Sequence, residues 1–126
     1  MNLCLFDLDH TLLPLDSDHE FGEFLIRQGL ADAVQYRQTN DGFYQQYCEG
    51  TLVLDDYIRF TTSIWREMSP AEQMKLQQAF MDEVIYPAMQ PQAVELVERH
   101  RAQGDLLAIV TATNEFVTRP IADAFN

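Results

Sequence analysis

The sequence predicts an α/β fold: a parallel sheet, incomplete within these residues, with an all-helical unit inserted after its first strand. Three observations carry that expectation. Two short apolar runs, residues 3–6 and 106–110, each end in a cluster of polar side chains, as central parallel strands covered on both faces do. A stretch of helical period directly precedes the second run, which is the order that joins parallel strands. Between Asp16 and Met89, roughly seventy residues show no convincing period-two alternation and several segments of helical period. Residues 1–16 and 88–126 are therefore expected to form the sheet-bearing core and residues 17–87 the helical insertion.

Each element follows from local grammar. "LCLF" runs straight into Asp7 and Asp9, so the carboxyl end of the first strand carries acids. Asp7, Asp9 and Thr11 fall at every second position, and a continuing strand would aim all three the same way. "SDHEFGEFLIRQG" opens with Ser17 and Glu20 in capping-box spacing, shows Phe21, Phe24 and Leu25 on one face, and stops at Gly29. Residues 31–49 read as helical, with "TNDG" at 39–42 as a weak point. In "LDDYIRFTTSIWREM" the apolar stripe is Tyr57, Ile58, Thr61, Ile64, Trp65 and Met68, opposite Arg59, Thr62, Ser63 and Arg66. "SPAE" at 69–72 is a second capping box with Pro70 at the first helical position, followed by Leu76, Phe80 and Val84 at four-residue steps. "QPQAVELVERHRAQG" places Pro91 at a helix start, an apolar face of Ala93, Val94, Leu96 and Val97, and Gly104 at the stop. His19 and His100 are expected on helix surfaces. The second strand then runs from Leu106 to Val110, and its polar end begins at Thr111.

Composition narrows the function. Twenty acids against eight bases give a net charge of −12, which excludes attraction to nucleic acid through bulk charge while leaving room for a local phosphate pocket. No apolar run approaches the ~18 residues of a membrane span. Met1–Phe6 lacks the basic flank and length of a secretory signal, so a cytoplasmic protein is expected. Cys4 and Cys48 lack metal-ligand spacing and are expected as reduced thiols, Cys4 buried.

The strand ends carry the chemistry. Phosphoryl transfer to a carboxylate needs a nucleophile on a rigid strand end, a second group to protonate the leaving oxygen, and a cation to offset charge. Asp7 fits the nucleophile and a Mg²⁺ ligand, and Asp9 the acid toward the leaving alcohol, then the base for water. Backbone N–H groups past the strand, that of Leu8 among them, would hold a phosphate together with the Thr111 hydroxyl and the Ala112 N–H. A calcium loop starting at Asp7 is excluded, because an EF-hand needs glycine at its sixth position and glutamate at its twelfth, where this chain has Leu12 and Asp18.

"LCLFDLDHTL" followed much later by "LLAIVTATN" resembles motifs I and II of the haloacid dehalogenase superfamily. A helical insertion directly after motif I resembles its phosphoserine phosphatase-like branch. The resemblance implies a Rossmann-like core with a helical cap over the substrate. It also implies Mg²⁺-dependent hydrolysis of a small phosphorylated metabolite through an aspartyl phosphate, with Asp7 and the Asp9 carbonyl on the metal. By position it adds Asp16 and Arg59 as substrate-binding residues, and His10, where the branch has a small serine, as a third contact. The family's motif III lysine and motif IV acidic pair would follow the second strand and are not in these residues. A fragment of a longer protein is therefore expected, inactive by itself. Phosphotransfer to an acceptor other than water is the alternative within this chemistry, and a non-catalytic ligand-binding or interaction module the alternative outside it.

Overall fold

The computed structural model describes residues 1–125. The elements run β1 (Leu3–Asp7), α1 (Ser17–Arg27), α2 (Ala33–Glu49), α3 (Leu54–Thr62), α4 (Pro70–Phe80), a π-helical turn (Met81–Ile85), α5 (Tyr86–Ala88), α6 (Pro91–Ala102), β2 (Leu106–Val110) and α7 (Glu115–Phe125). They gather into two compact units, one of Met1–Phe21 with the chain from Lys75 onward, the other Gly22–Met74. Phe21 belongs with the first because its ring meets Phe80 edge-on at 5.1 Å and Phe116 at 6.1 Å.

In the first unit β1 and β2 pair in parallel, Leu3 opposite Leu106 through to Asp7 opposite Val110. Phe6 is buried while Leu3, Leu5, Leu106 and Val110 are each more than half exposed, so one sheet face is covered and the other bare. Cys4 lies on the Phe6 side but is only half-buried, a correction to the expected burial; both cysteines are free thiols. Helix α6 begins at Pro91 and its chain turns at Gly104, whose φ of 79° suits a residue without a Cβ. Val97 is its buried anchor, whereas Leu96 is exposed. His100 is half-buried on its helix and held by contacts rather than free in solvent. Its Nδ1 lies 3.2 Å from Asp105 Oδ2, its ring meets Phe6 at 5.9 Å, and Asp105 Oδ1 accepts from the Asn2 N–H at 3.2 Å. That chain of contacts ties the end of α6 to the start of both strands.

Ser69 and Glu72 form the reciprocal capping box expected at the start of α4, each side chain accepting from the other's N–H at 3.2 Å. Leu76 and Phe80 are buried as expected, but Val84 is only half-buried, and Met81 and Ile85 are the buried residues of the next turn. The π-turn widens the helix by one residue just before Pro87, whose ring cannot donate to the carbonyl four residues back. Helix α7, unassigned from sequence, starts at Asn114, whose Oδ1 accepts from the Val117 N–H at 3.1 Å. It buries Val117, Ile121 and Phe125, and Gln77 Nε2 donates to the Phe116 carbonyl at 2.9 Å.

In the second unit α2 passes through "TNDG" without interruption, capped by Asp32 at one end and by Gly50, with φ 75°, at the other. Glu23 accepts twice from Arg37, at 3.1 and 2.6 Å, and this carboxylate pushes the Arg37 pKa above its usual range. Gly22 permits the approach of Tyr36, since a Cβ there would lie 2.8 Å from the tyrosine hydroxyl. Tyr36 and Phe43 meet Phe60 at 4.8 and 5.3 Å, and Phe43 meets Tyr57 at 5.5 Å. Phe60 is therefore the packing residue of α3, and this rotates the expected stripe: Ile58 is exposed and Thr62, expected on the polar side, is buried with its hydroxyl donating to the Ile58 carbonyl at 2.8 Å.

Candidate active site

The first strand ends at Asp7, and alternation ends with it. Beyond Asp7 the chain folds into a turn in which the Leu8 carbonyl accepts from the N–H groups of Thr11 and Leu13, at 3.2 and 3.0 Å, while the His10 N–H donates to Leu15 at 3.0 Å. His10 takes φ 57°, a left-handed conformation that costs a non-glycine residue roughly 1–2 kcal/mol. Burying Leu8, Leu12 and Leu13 contributes roughly 1.5–3 kcal/mol each, so the apolar anchors outweigh the strain at His10. The loop is held from beneath, which makes it a firm platform for the acids above.

Asp7, Asp9 and Thr11 consequently do not share one strand face. The Thr11 hydroxyl still reaches Asp7, donating to Oδ2 at 2.9 Å. The other Asp7 oxygen accepts no hydrogen bond among the described residues, and the side chain is exposed. Asp9 turns elsewhere. Its Oδ1 accepts from the Ser17 N–H at 2.8 Å and its Oδ2 from the Thr113 hydroxyl at 3.2 Å. Because Asp7 is in register with Val110, Thr111 follows at the neighbouring strand end, where its Oγ1 accepts from the Thr113 N–H at 3.2 Å. Ala112 is exposed and Leu8 fully buried, its contribution confined to backbone.

The remaining expected residues divide. His10 is exposed at the crest of the loop. Asp16 caps α1, its Oδ1 accepting from the His19 N–H at 3.0 Å, and so holds the position expected of Ser17. Ser17 is fully buried and its Oγ donates to Thr113 Oγ1 at 3.1 Å. Arg59 is exposed on α3, in the second unit. Sequence reasoning missed the Ser17–Thr113 pair; the one available signal was a second threonine two residues past Thr111, on the same strand end.

The donor set is hard oxygen, the chemistry Mg²⁺ prefers, and the Asp7 carboxylate with the Asp9 carbonyl could supply two of its six positions. Among the described residues no group of three histidines, cysteines or acids gathers as a metal site. An ion held by the Asp7 carboxylate and the Asp9 carbonyl would take its remaining positions from water. A hollow of about 310 Å³ lined by Phe6, Leu107, Ile109, Asp123 and Phe125 lies apart from this chemistry, with neither Asp7 nor Asp9 in its wall.

Carboxylates and hydroxyls collected where two parallel strands end, with a helical unit inserted after the first, define an α/β protein whose working end is the carboxyl edge of its sheet. A family model for haloacid dehalogenase-like hydrolases matches residues 4–126, and the chain belongs to that family. A histidinol-phosphatase of Neisseria meningitidis serogroup C is 36% identical over 124 residues, covering 98% of this chain and 56% of its own length. A crystal structure of a protein of unknown function from Bordetella pertussis Tohama I shares 46% identity at a TM-score of 0.86, covering 99% of this chain and 57% of that one. A phosphoserine phosphohydrolase-like protein from Francisella tularensis, at 17% identity and a TM-score of 0.64, shares the fold and covers 100% of this chain and 54% of its own. The chain therefore spans little more than half the length of the proteins it matches. No described helix is long and apolar enough to cross a membrane.

Proposed function

We propose that the intact protein is a cytoplasmic, Mg²⁺-dependent phosphatase of small phosphorylated metabolites, working through an aspartyl phosphate on Asp7. The observation that carries this is the Asp7 carboxylate at the end of β1, oriented by Thr11 through one oxygen and without a hydrogen bond on the other among the described residues. In the first step that oxygen attacks phosphorus, the ester P–O bond breaks, and Asp9 gives its proton to the departing alkoxide. In the second, Asp9 takes a proton from water as the water attacks the same phosphorus; the bond to Asp7 breaks and inorganic phosphate leaves. Mg²⁺ held by the Asp7 carboxylate and the Asp9 carbonyl would offset phosphate charge. The Thr111 hydroxyl and the N–H groups of Leu8 and Ala112 would hold the phosphoryl oxygens.

His10, Asp16 and Arg59 are assigned to the leaving group. For Asp16 this role competes with its hydrogen bond to His19. The name of the Neisseria relative makes histidinol phosphate the first substrate to try, beside phosphoserine. The reading is tested by phosphate release from such a panel with Mg²⁺ and with chelator. Asp7→Asn should abolish turnover with the fold intact, and an Asp7→Asn protein as active as wild type would falsify the mechanism.

A further inference from the structure

Asp9 is gripped at both oxygens by residues that the phosphatase reading does not use. Its Oδ1 accepts from the Ser17 N–H at 2.8 Å, at the first residue of α1; its Oδ2 accepts from the Thr113 hydroxyl at 3.2 Å, in the loop between β2 and α7. The two holders are themselves joined, because Ser17 Oγ donates to Thr113 Oγ1 at 3.1 Å. A carboxylate accepts and a hydroxyl has one proton to give, so Thr113 gives its proton to Asp9 and accepts from Ser17, which sets the direction of the chain. Ser17 is fully buried, so water cannot replace a lost link, and a broken chain leaves a buried hydroxyl unpaired. Thr113 is fixed from the other side as well, its N–H donating to Thr111 Oγ1 at 3.2 Å. One network thus connects the residue assigned to the phosphate with the residue assigned to the proton.

We propose that Ser17 and Thr113 are positioning residues that hold the Asp9 carboxylate in the orientation needed to pass a proton to the leaving group. This rests on the reading of Asp9 as acid and base given above. A carboxylate fixed at both oxygens cannot swing about its side-chain torsions, and proton transfer falls steeply once donor and acceptor leave hydrogen-bond reach. Helix capping alone would not require the Ser17 hydroxyl, since Asp16 already caps α1.

The test separates the two chemical steps in the intact protein. p-Nitrophenolate leaves without needing a proton, whereas an alkoxide does not, so a defect confined to proton delivery depends on the leaving group. For Thr113→Val, the pre-steady-state burst of p-nitrophenolate should stay within about threefold of wild type, while single-turnover cleavage of the best alkyl phosphate substrate should slow about tenfold or more. Ser17→Ala, which keeps the backbone donor, should show the same pattern at about threefold to tenfold, and Thr113→Ser should recover most of the lost rate. Equal slowing with both leaving groups, or failure of Thr113→Ser to recover, overturns the proposal while leaving the phosphatase reading intact. If Thr113→Val does not fold, Ser17→Ala and Thr113→Ser decide by the same comparison. A wild-type protein inactive on every phosphomonoester overturns both.

Discussion

Thr11 offers the sharpest test of how the nucleophile is prepared. Its hydroxyl donates to Asp7 Oδ2 at 2.9 Å, a hydrogen bond to a charged acceptor. Such bonds are worth roughly 1.5–3 kcal/mol, and because both side chains are exposed and water competes for the same oxygen, the lower end applies. At about 1.4 kcal/mol per decade of rate, losing the bond should lower the rate of attack by Asp7 roughly tenfold. Thr11→Val removes the donor and keeps the shape; Thr11→Ser keeps the donor and loses a methyl group. The pre-steady-state burst of p-nitrophenolate isolates attack by Asp7, since that leaving group needs no acid and the burst precedes hydrolysis of the aspartyl phosphate. The expected result is a fall in the burst rate of about tenfold for valine with the substrate dependence of that rate changed less than about threefold, and a near-normal burst rate for serine. Far-UV circular dichroism of each variant should match wild type, because no buried apolar surface is altered. A valine variant within about twofold of wild type would refute the orienting role, as would a serine variant equally impaired.

Three further outcomes are expected. Arg59→Ala should raise KM for an anionic substrate such as phosphoserine and leave p-nitrophenyl phosphate nearly untouched; equal effects on both would remove Arg59 from the leaving-group contacts. Phe80→Ala, at a ring 2% exposed and packed edge-on to Phe21, should cost about 3–5 kcal/mol in urea denaturation, and a loss below about 2 kcal/mol would contradict the tight packing described for this core. Calorimetric titration of residues 1–126 with Mg²⁺ should show weak binding, because no group of three acids, histidines or cysteines gathers as a metal site among the described residues. Tight binding there would contradict an ion held by the Asp7 carboxylate and the Asp9 carbonyl with water in its other positions.

Legibility in the sequence followed the range of the forces involved. The two strands, the start of α6 and the Ser69–Glu72 box were readable because each is specified by neighbours within a few residues. The places of Asp7 and Thr111 at neighbouring strand ends were readable because each ends or directly follows an apolar run, whereas Thr11 reaches Asp7 through a turn that alternation did not anticipate. Ser17 was misread as a cap since two candidates stood side by side. Asp16 took the cap, and only the fold brings Ser17 to Thr113, far along the chain. Thr62 and Ile58 exchanged their expected environments because the ring of Phe60, left out of the stripe, sets the rotation of α3 against α2. The turn at His10 was hidden for a different reason: a left-handed residue other than glycine leaves no compositional mark, and the three leucines that stabilise it read simply as apolar.

The π-turn at Met81–Ile85 bears on how this chain should be aligned with its relatives. An i→i+5 turn holds one residue more than the α-helical turn it replaces, so the segment can lose a residue without losing a turn. Deleting any one of Asp82, Glu83 or Val84 would bring Ile85 four positions after Phe80, onto the row that Leu76 and Phe80 already bury. A single-residue gap between Met81 and Ile85 is thus structurally cheap, whereas the same gap within residues 70–80 would rotate everything after it by about 100°. Relatives with shorter helices here should carry their missing residue at this turn, and alignments that place it elsewhere will mispair the core.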